Sequence, residues 1–118
     1  MHEMSLARSV AEIAEETAYE NGSEKVTSVT LSVGELSGID VACLKQSLAA
    51  AFEGPVLSGA KIEIEQPEGT AWCMDCSETV PLHRLGDACP KCGGHRLTIN
   101  GGNEFDVSFI AISVPTQI

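Results

Sequence analysis

The chain's 118 residues, 43% of them hydrophobic, make one small globular protein that buries roughly 65% of its unfolded surface. Its 17 acidic residues against 7 basic ones leave a formal charge of −10, which repels nucleic-acid phosphates and points to a soluble surface or a basic partner. No stretch is apolar for long enough to cross a bilayer and the start, MHEMSLARSV, lacks a leader pattern, so a cytosolic protein without membrane insertion is expected.

Leu6, Val10, Ile13, Ala14 and Ala18 recur at three- and four-residue steps with Glu12, Glu15, Glu16 and Glu20 opposite, which predicts an amphipathic helix ended by Asn21-Gly22. Val29, Leu31 and Val33 alternate as a first strand. Gly34 and Gly38 bracket a loop. Asp40 then caps a second helix whose Val41, Leu44, Leu48 and Phe52 form one stripe before Gly54-Pro55 stops it. Lys61 to Glu65 alternates as a strand closed by Pro67. Asn100-Gly-Gly-Asn103 marks a turn, and Phe105, Val107 and Phe109 begin a last strand running to about Val114.

This order predicts an α+β fold with α/β-like character: two helices on a small mixed three-stranded sheet, with the cysteine segment as an inserted zinc ribbon. The second helix would connect the first two strands as a right-handed parallel crossover, and the last strand would return to the same sheet. The expected division is residues 1–67 with 100–118 as one domain and 68–99 as the ribbon.

Cys73-Met-Asp-Cys76, a gap of 12 residues and Cys89-Pro-Lys-Cys92-Gly93 is the most specific motif. Two residues between thiolates let one tight turn aim both sulfurs at a metal, and two such knuckles complete a tetrahedron. Gly93 supplies the positive φ such a knuckle needs. In reduced cytosol, paired spacing favours metal over disulfides or a redox dithiol, and an odd fifth cysteine agrees. Iron is the rival metal, but rubredoxin-type sites have aromatic shells and only Trp72 stands here. Four thiolates close the coordination sphere, so Zn²⁺ would be structural and not catalytic. Cys43 reads as a buried small hydrophobe. His83 and His95 read as surface residues rather than ligands.

Between Gly69 and Thr98, Arg84, Lys91 and Arg96 are balanced by Asp75, Glu78 and Asp87, so no basic stripe follows a phosphate backbone. The extreme N-terminus, Met1-His2-Glu3, carries a second possibility. The α-amine, the deprotonated His2 amide and the His2 imidazole form fused chelate rings with three coplanar nitrogens, a set suited to Ni²⁺ or Cu²⁺ and poor for zinc. Glu3 could add a ligand or position His2. Alone the motif is a weak signal, and the plainer reading is that His2 is frayed and Glu3 simply well placed near the positive end of the first helix.

Three regions, the Met-His-Glu start, Val33-Gly-Glu-Leu-Ser-Gly38 and the cysteine motif with its gap, together resemble the hydrogenase nickel-incorporation proteins of the HypA/HybF type. The resemblance implies a metallochaperone, not an enzyme, that delivers Ni²⁺ as cargo for [NiFe] hydrogenase assembly with a maturation GTPase and the hydrogenase large subunit, as monomer or homodimer. It also implies His2 as the essential nickel ligand, with the Met1 amine, nearby amides and Glu3 contributing, and zinc on Cys73, Cys76, Cys89 and Cys92. Some members extend a knuckle to Cys-x-x-Cys-His; Ser77 and Gly93 stand in those places here, so pH-switched zinc coordination is not expected. The competing readings are a zinc-ribbon adaptor that binds only proteins and, behind it, a nucleic-acid-binding ribbon.

Overall fold

The computed structural model describes residues 2–113, with His2 described in its backbone alone. Its elements run α1 (His2–Glu20), β1 (Val26–Val33), α2 (Val41–Ala51), β2 (Lys61–Glu65), β3 (Thr70–Cys73), β4 (Glu78–Pro81), β5 (Leu97–Gly101) and β6 (Phe105–Ile112). They form two three-stranded sheets, ordered β2-β1-β6 and β4-β3-β5. The expected sheet of first, second and last strands is the first of these. The strand β6 ends at Ile112, and Val114 lies outside the described residues. The chain makes two compact units: the chain through Leu31, Ile39–Glu63 and the chain from Val107 onward form the first, and Ser32–Gly38 with Ile64–Asp106 form the second.

In the first unit α1 packs on α2. The buried stripe of α1 is Ala7, Val10, Ala11, Ala14 and Ala18. Leu6 and Ile13, expected on that stripe, lie off it: at ~100° per residue they fall about 95° and 115° around from its centre. Leu6 is half-buried and Ile13 is 43% exposed. The helix ends in a Schellman arrangement, with Ser23 N–H bonding Ala18 C=O at 2.9 Å, Gly22 N–H bonding Tyr19 C=O at 3.1 Å, and Gly22 at φ 66°. The Ser23 hydroxyl lies within hydrogen-bond distance of Lys25 and Ser113 carbonyls, at 3.0 and 2.9 Å, joining the start of β1 to the end of β6. In α2 the Asp40 carboxylate accepts from Cys43 N–H at 3.1 Å, and Leu44, Leu48 and Phe52 are buried, as are Val26, Val29 and Leu31 of β1 in the same unit.

The second unit has little apolar interior. Leu36, Ala71 and Leu82 make one small cluster, and Val80 with Cys73 and Cys89 makes another. Its base is a crossing of three glycines. A Cβ on Gly34 would meet Gly102 O at 2.2 Å, one on Gly102 would meet Gly69 Cα at 2.4 Å, and one on Gly69 would meet Leu82 O at 2.1 Å. Backbone bonds sit at these contacts, Leu82 N–H to Gly69 C=O at 2.8 Å and Gly34 N–H to Glu104 C=O at 2.8 Å. Only hydrogen side chains allow three strands of backbone to approach so closely.

Candidate metal centre

The ribbon is built from β3 with antiparallel partners on both sides, Cys73 opposite Glu78 of β4 and opposite Leu97 of β5. The ribbon expected from the sequence has three strands; the third, β5, was hidden behind the Asn100-Gly-Gly-Asn103 turn signal, and the strand runs on to Gly101 before the chain turns at Gly102. The first knuckle bridges β3 and β4, and the second lies in the loop between β4 and β5.

The two knuckles are conformational copies. In each, the residue four past the first cysteine donates its N–H to that cysteine's C=O at 2.8 Å, Ser77 to Cys73 and Gly93 to Cys89. Both residues are left-handed, Gly93 at φ 75° and Ser77 at φ 53°. A side chain there costs about 1 kcal/mol, so the first knuckle carries strain that the second avoids. Further backbone donors reach sulfur at 3.4 Å, Cys76 N–H to Cys73 Sγ and Gly94 N–H to Cys92 Sγ.

The four sulfurs of Cys73, Cys76, Cys89 and Cys92 lie within 4.8 Å of one another, with Cys73 to Cys92 at 3.7 Å and Cys76 to Cys89 at 3.9 Å. A zinc–sulfur bond of about 2.3 Å in a regular tetrahedron sets the sulfurs about 3.8 Å apart. All four thiols are free rather than bridged, which removes the disulfide alternative, and the donor set fits a structural zinc site. The four thiols compete for charge. Cys76 is pushed up to about 12 by its hydrogen bond with Cys92, while the backbone N–H of Cys92 holds Cys89 down at about 7. A divalent cation ends that competition, and its binding releases protons.

Exposed ion pairs flank the cluster, Lys91 with Glu78 and Arg96 with Asp75 at 3.0 Å, so two of the three cations counted in the ribbon are paired in space with two of its three anions. His95 is exposed and outside the sulfur group. His83 is on the surface too, but it has a partner. Its Nδ1 lies 3.0 and 3.1 Å from the two oxygens of Glu35, and Glu35 Oε1 also accepts Gly69 N–H at 2.9 Å. Glu35 is lowered by that amide and by His83, and His83 is raised by Glu35. This clasp was missed in the sequence, where 48 residues separate its members.

At the other end of the chain, Met1 and the His2 side chain lie outside the described residues; the backbone of His2 begins α1. Glu3 is half-buried, and one of its carboxylate oxygens accepts Asp40 N–H at 3.4 Å. Cys43, expected as a buried hydrophobe, is exposed. It occupies the first turn of α2 beside its cap, where the stripe through Leu44 and Leu48 points the other way, and the Asp40 carboxylate raises its pKa so that it stays a thiol.

Fold and centre together define a small α+β protein bearing a four-thiolate zinc ribbon. Residues 1–112 match the family described as hydrogenase/urease nickel incorporation, metallochaperone, hypA. The chain belongs to this HypA family. It is 41% identical over 112 residues to the hydrogenase maturation factor HypA of Azoarcus sp. (strain BH72), covering 95% of this chain and 98% of that one. It is 44% identical over 107 residues to the factor of the same name from Polaromonas naphthalenivorans (strain CJ2), covering 91% and 93%. Among solved structures, the Ni metallochaperone HypA from Helicobacter pylori superposes with a TM-score of 0.64 at 26% identity, over 93% of this chain and 96% of that one. A second HypA solution structure gives 0.70 at 26% identity, over 96% and 97%.

Proposed function

We propose that the chain binds one Ni²⁺ at its N-terminus, through the Met1 amine, the His2 amide and imidazole, and Glu3, and passes it on for maturation of a [NiFe] hydrogenase. The observation that carries this reading is the family match from residue 1 onward, on a chain whose Met-His-Glu start enters α1 at once. Helix physics supports it. The first four N–H groups of an α-helix have no partner within the helix, so deprotonating the His2 amide for a metal breaks no helical bond. The Asp40 amide steadies Glu3 beside it.

Zinc, on Cys73, Cys76, Cys89 and Cys92, then serves structure while nickel is cargo. Residues 1–67 with 100–118 form the nickel-binding domain and 68–99 the zinc ribbon. The chain is a carrier rather than an enzyme and works in the cytoplasm. Its partners are the hydrogenase-maturation GTPase and the hydrogenase large subunit, and no nucleic acid takes part. A terminal chelate with few imposed ligands suits transfer by ligand exchange.

The test is Ni²⁺ titration of the zinc-loaded, untagged protein by absorption and calorimetry, beside His2→Ala and a two-residue N-terminal extension. Wild type is expected to bind one diamagnetic, square-planar Ni²⁺ that both variants lose while retaining zinc. Equal behaviour of all three would instead favour the zinc-ribbon adaptor without a nickel site of its own.

A further inference from the structure

The four sulfurs form one cluster, but solvent reaches them unequally. Cys73 and Cys89 are buried, Cys76 is half-buried and Cys92 is exposed. Glycine keeps that corner bare. A Cβ on Gly94 would stand 3.4 Å from Cys92 Sγ, and Gly93 beside it also lacks a side chain, so the two residues that follow Cys92 leave its sulfur uncovered. The nearest approaches run between the knuckles: Cys92 Sγ lies 3.7 Å from Cys73 Sγ, and Cys76 Sγ lies 3.9 Å from Cys89 Sγ. The sulfur that meets solvent therefore rests on one that does not.

We infer that Cys92 and Cys73 form a peroxide-sensitive redox pair, with Cys92 as the reacting thiolate and Cys73 as the resolving one, whose oxidation expels the zinc. Zinc holds all four sulfurs as thiolates at neutral pH, and the thiolate is the nucleophilic form of cysteine. Oxidation follows thiolate character and exposure together, and goes furthest where a second cysteine stands beside the first. Of the four, Cys92 alone is exposed, and Cys73 is its neighbour.

The chemistry balances with hydrogen peroxide as oxidant. The Cys92 sulfur attacks one peroxide oxygen, so that an S–O bond forms, the O–O bond breaks and hydroxide leaves. The Cys73 sulfur then attacks the Cys92 sulfur, forming the S–S bond and releasing the second oxygen as hydroxide. Two electrons pass from the thiolates to peroxide, and solvent protonates both hydroxides. Only Cys76 and Cys89 then remain as ligands, too few for the closed four-thiolate site, and Zn²⁺ departs in its original oxidation state. Cys43 is exposed as well, but it lies outside the cluster and the Asp40 carboxylate beside it keeps it as the less reactive thiol. Unselective surface oxidation would consume that free thiol first, whereas oxidation through the pair spares it. The inference is independent of nickel.

The test adds hydrogen peroxide in steps, up to one equivalent, to the zinc-loaded full chain freed of reductant. Zinc release is read with a chromogenic indicator, and thiols are mapped by alkylation and peptide mass. Wild type is expected to lose one zinc and two thiols per peroxide, to yield a Cys73–Cys92 disulfide and to keep Cys43 open to alkylation. A dithiol reductant with added Zn²⁺ should restore the centre. Cys92→His leaves three thiolates and one imidazole, itself a zinc-binding set, without the exposed sulfur, and its peroxide-driven zinc release is expected to be at least about tenfold slower. Should that variant not hold zinc, the wild-type map alone decides. Oxidation of Cys43 ahead of zinc loss, a first disulfide within one knuckle, or a zinc-loaded Cys92→His that releases zinc as fast as wild type overturns the inference.

Discussion

The two units solve the same problem with different means. The first buries a continuous set of aliphatic side chains, among them Val10, Val29, Leu31, Leu44, Leu48 and Leu57, and needs nothing else. The second surrounds four sulfurs with two apolar clusters of three buried residues each, and holds its base together by glycine contacts. Helices reach a shared interior by periodicity, whereas strands of four or five residues offer only two or three inward positions. The lesson is that a short ribbon replaces missing hydrophobic area with a metal.

Zinc removal breaks the comparison most severely. Structural zinc contributes about 10–16 kcal/mol apparent to such ribbons, so a strong chelator or Cys73→Ala is expected to abolish the β3–β5 amide protection. Helical circular dichroism, which comes from α1 and α2 of the first unit, should largely survive. Complete loss of both signals would mean that the two units fold as one. The reciprocal change is Leu48→Ala, which deletes a fully buried side chain of α2. It should cost about 2–5 kcal/mol by denaturant unfolding and leave zinc stoichiometry unchanged in the folded protein.

A subtler break is Gly69→Ala, whose new methyl would meet Leu82 O at 2.1 Å and the Leu36 side chain at 2.6 Å. Backbone on one side cannot yield, so a cost of about 1–3 kcal/mol is expected, seen as earlier unfolding of the ribbon at fixed zinc. The smallest effect is the Glu35–His83 clasp. Glu35 is lowered in the fold, so its contribution is present above its unfolded pKa and is lost as pH falls through the lower folded value. His83 is raised, so its contribution is complete below its unfolded pKa and is lost as pH rises through the higher folded value. The clasp is therefore strongest in the window from about 4.5 to 6.5 set by the ordinary values of the two groups. Both side chains are solvent-exposed, so the difference between wild type and His83→Gln should be slight and largest in that window. A flat difference across pH would show that the pair contributes nothing by charge.

The sequence exposed those features that local chemistry determines. Asp40 announces α2 because a capping carboxylate works within three residues, and Lys61–Glu65 alternates cleanly, so its bounds are the observed ones. The cysteine knuckles are visible because metal ligation imposes spacing. By contrast, β3, β4 and β5 were read only as a ribbon, since their burial comes from the sulfur cluster and the glycine crossing rather than from any repeating pattern. Ile13 was misplaced on the stripe of α1 because hydrophobic identity was counted before angular position, and Cys43 because residue type stood in for its place on the helix. Glu35 and His83 met through tertiary folding, for which neither residue carries a local sign.

The unequal burial of the four sulfurs has a kinetic consequence. Cys73 and Cys89 are enclosed, Cys76 is half-covered and Cys92 faces solvent, so the coordination sphere has one open corner. A competing chelator is expected to enter there and displace Cys92 first, giving zinc-release rates that rise in proportion to chelator concentration. A rate that stayed constant would place prior opening of the ribbon before the exchange. On this basis the same centre is thermodynamically tight and still exchangeable, with its slow and fast sides set by which thiolate meets water.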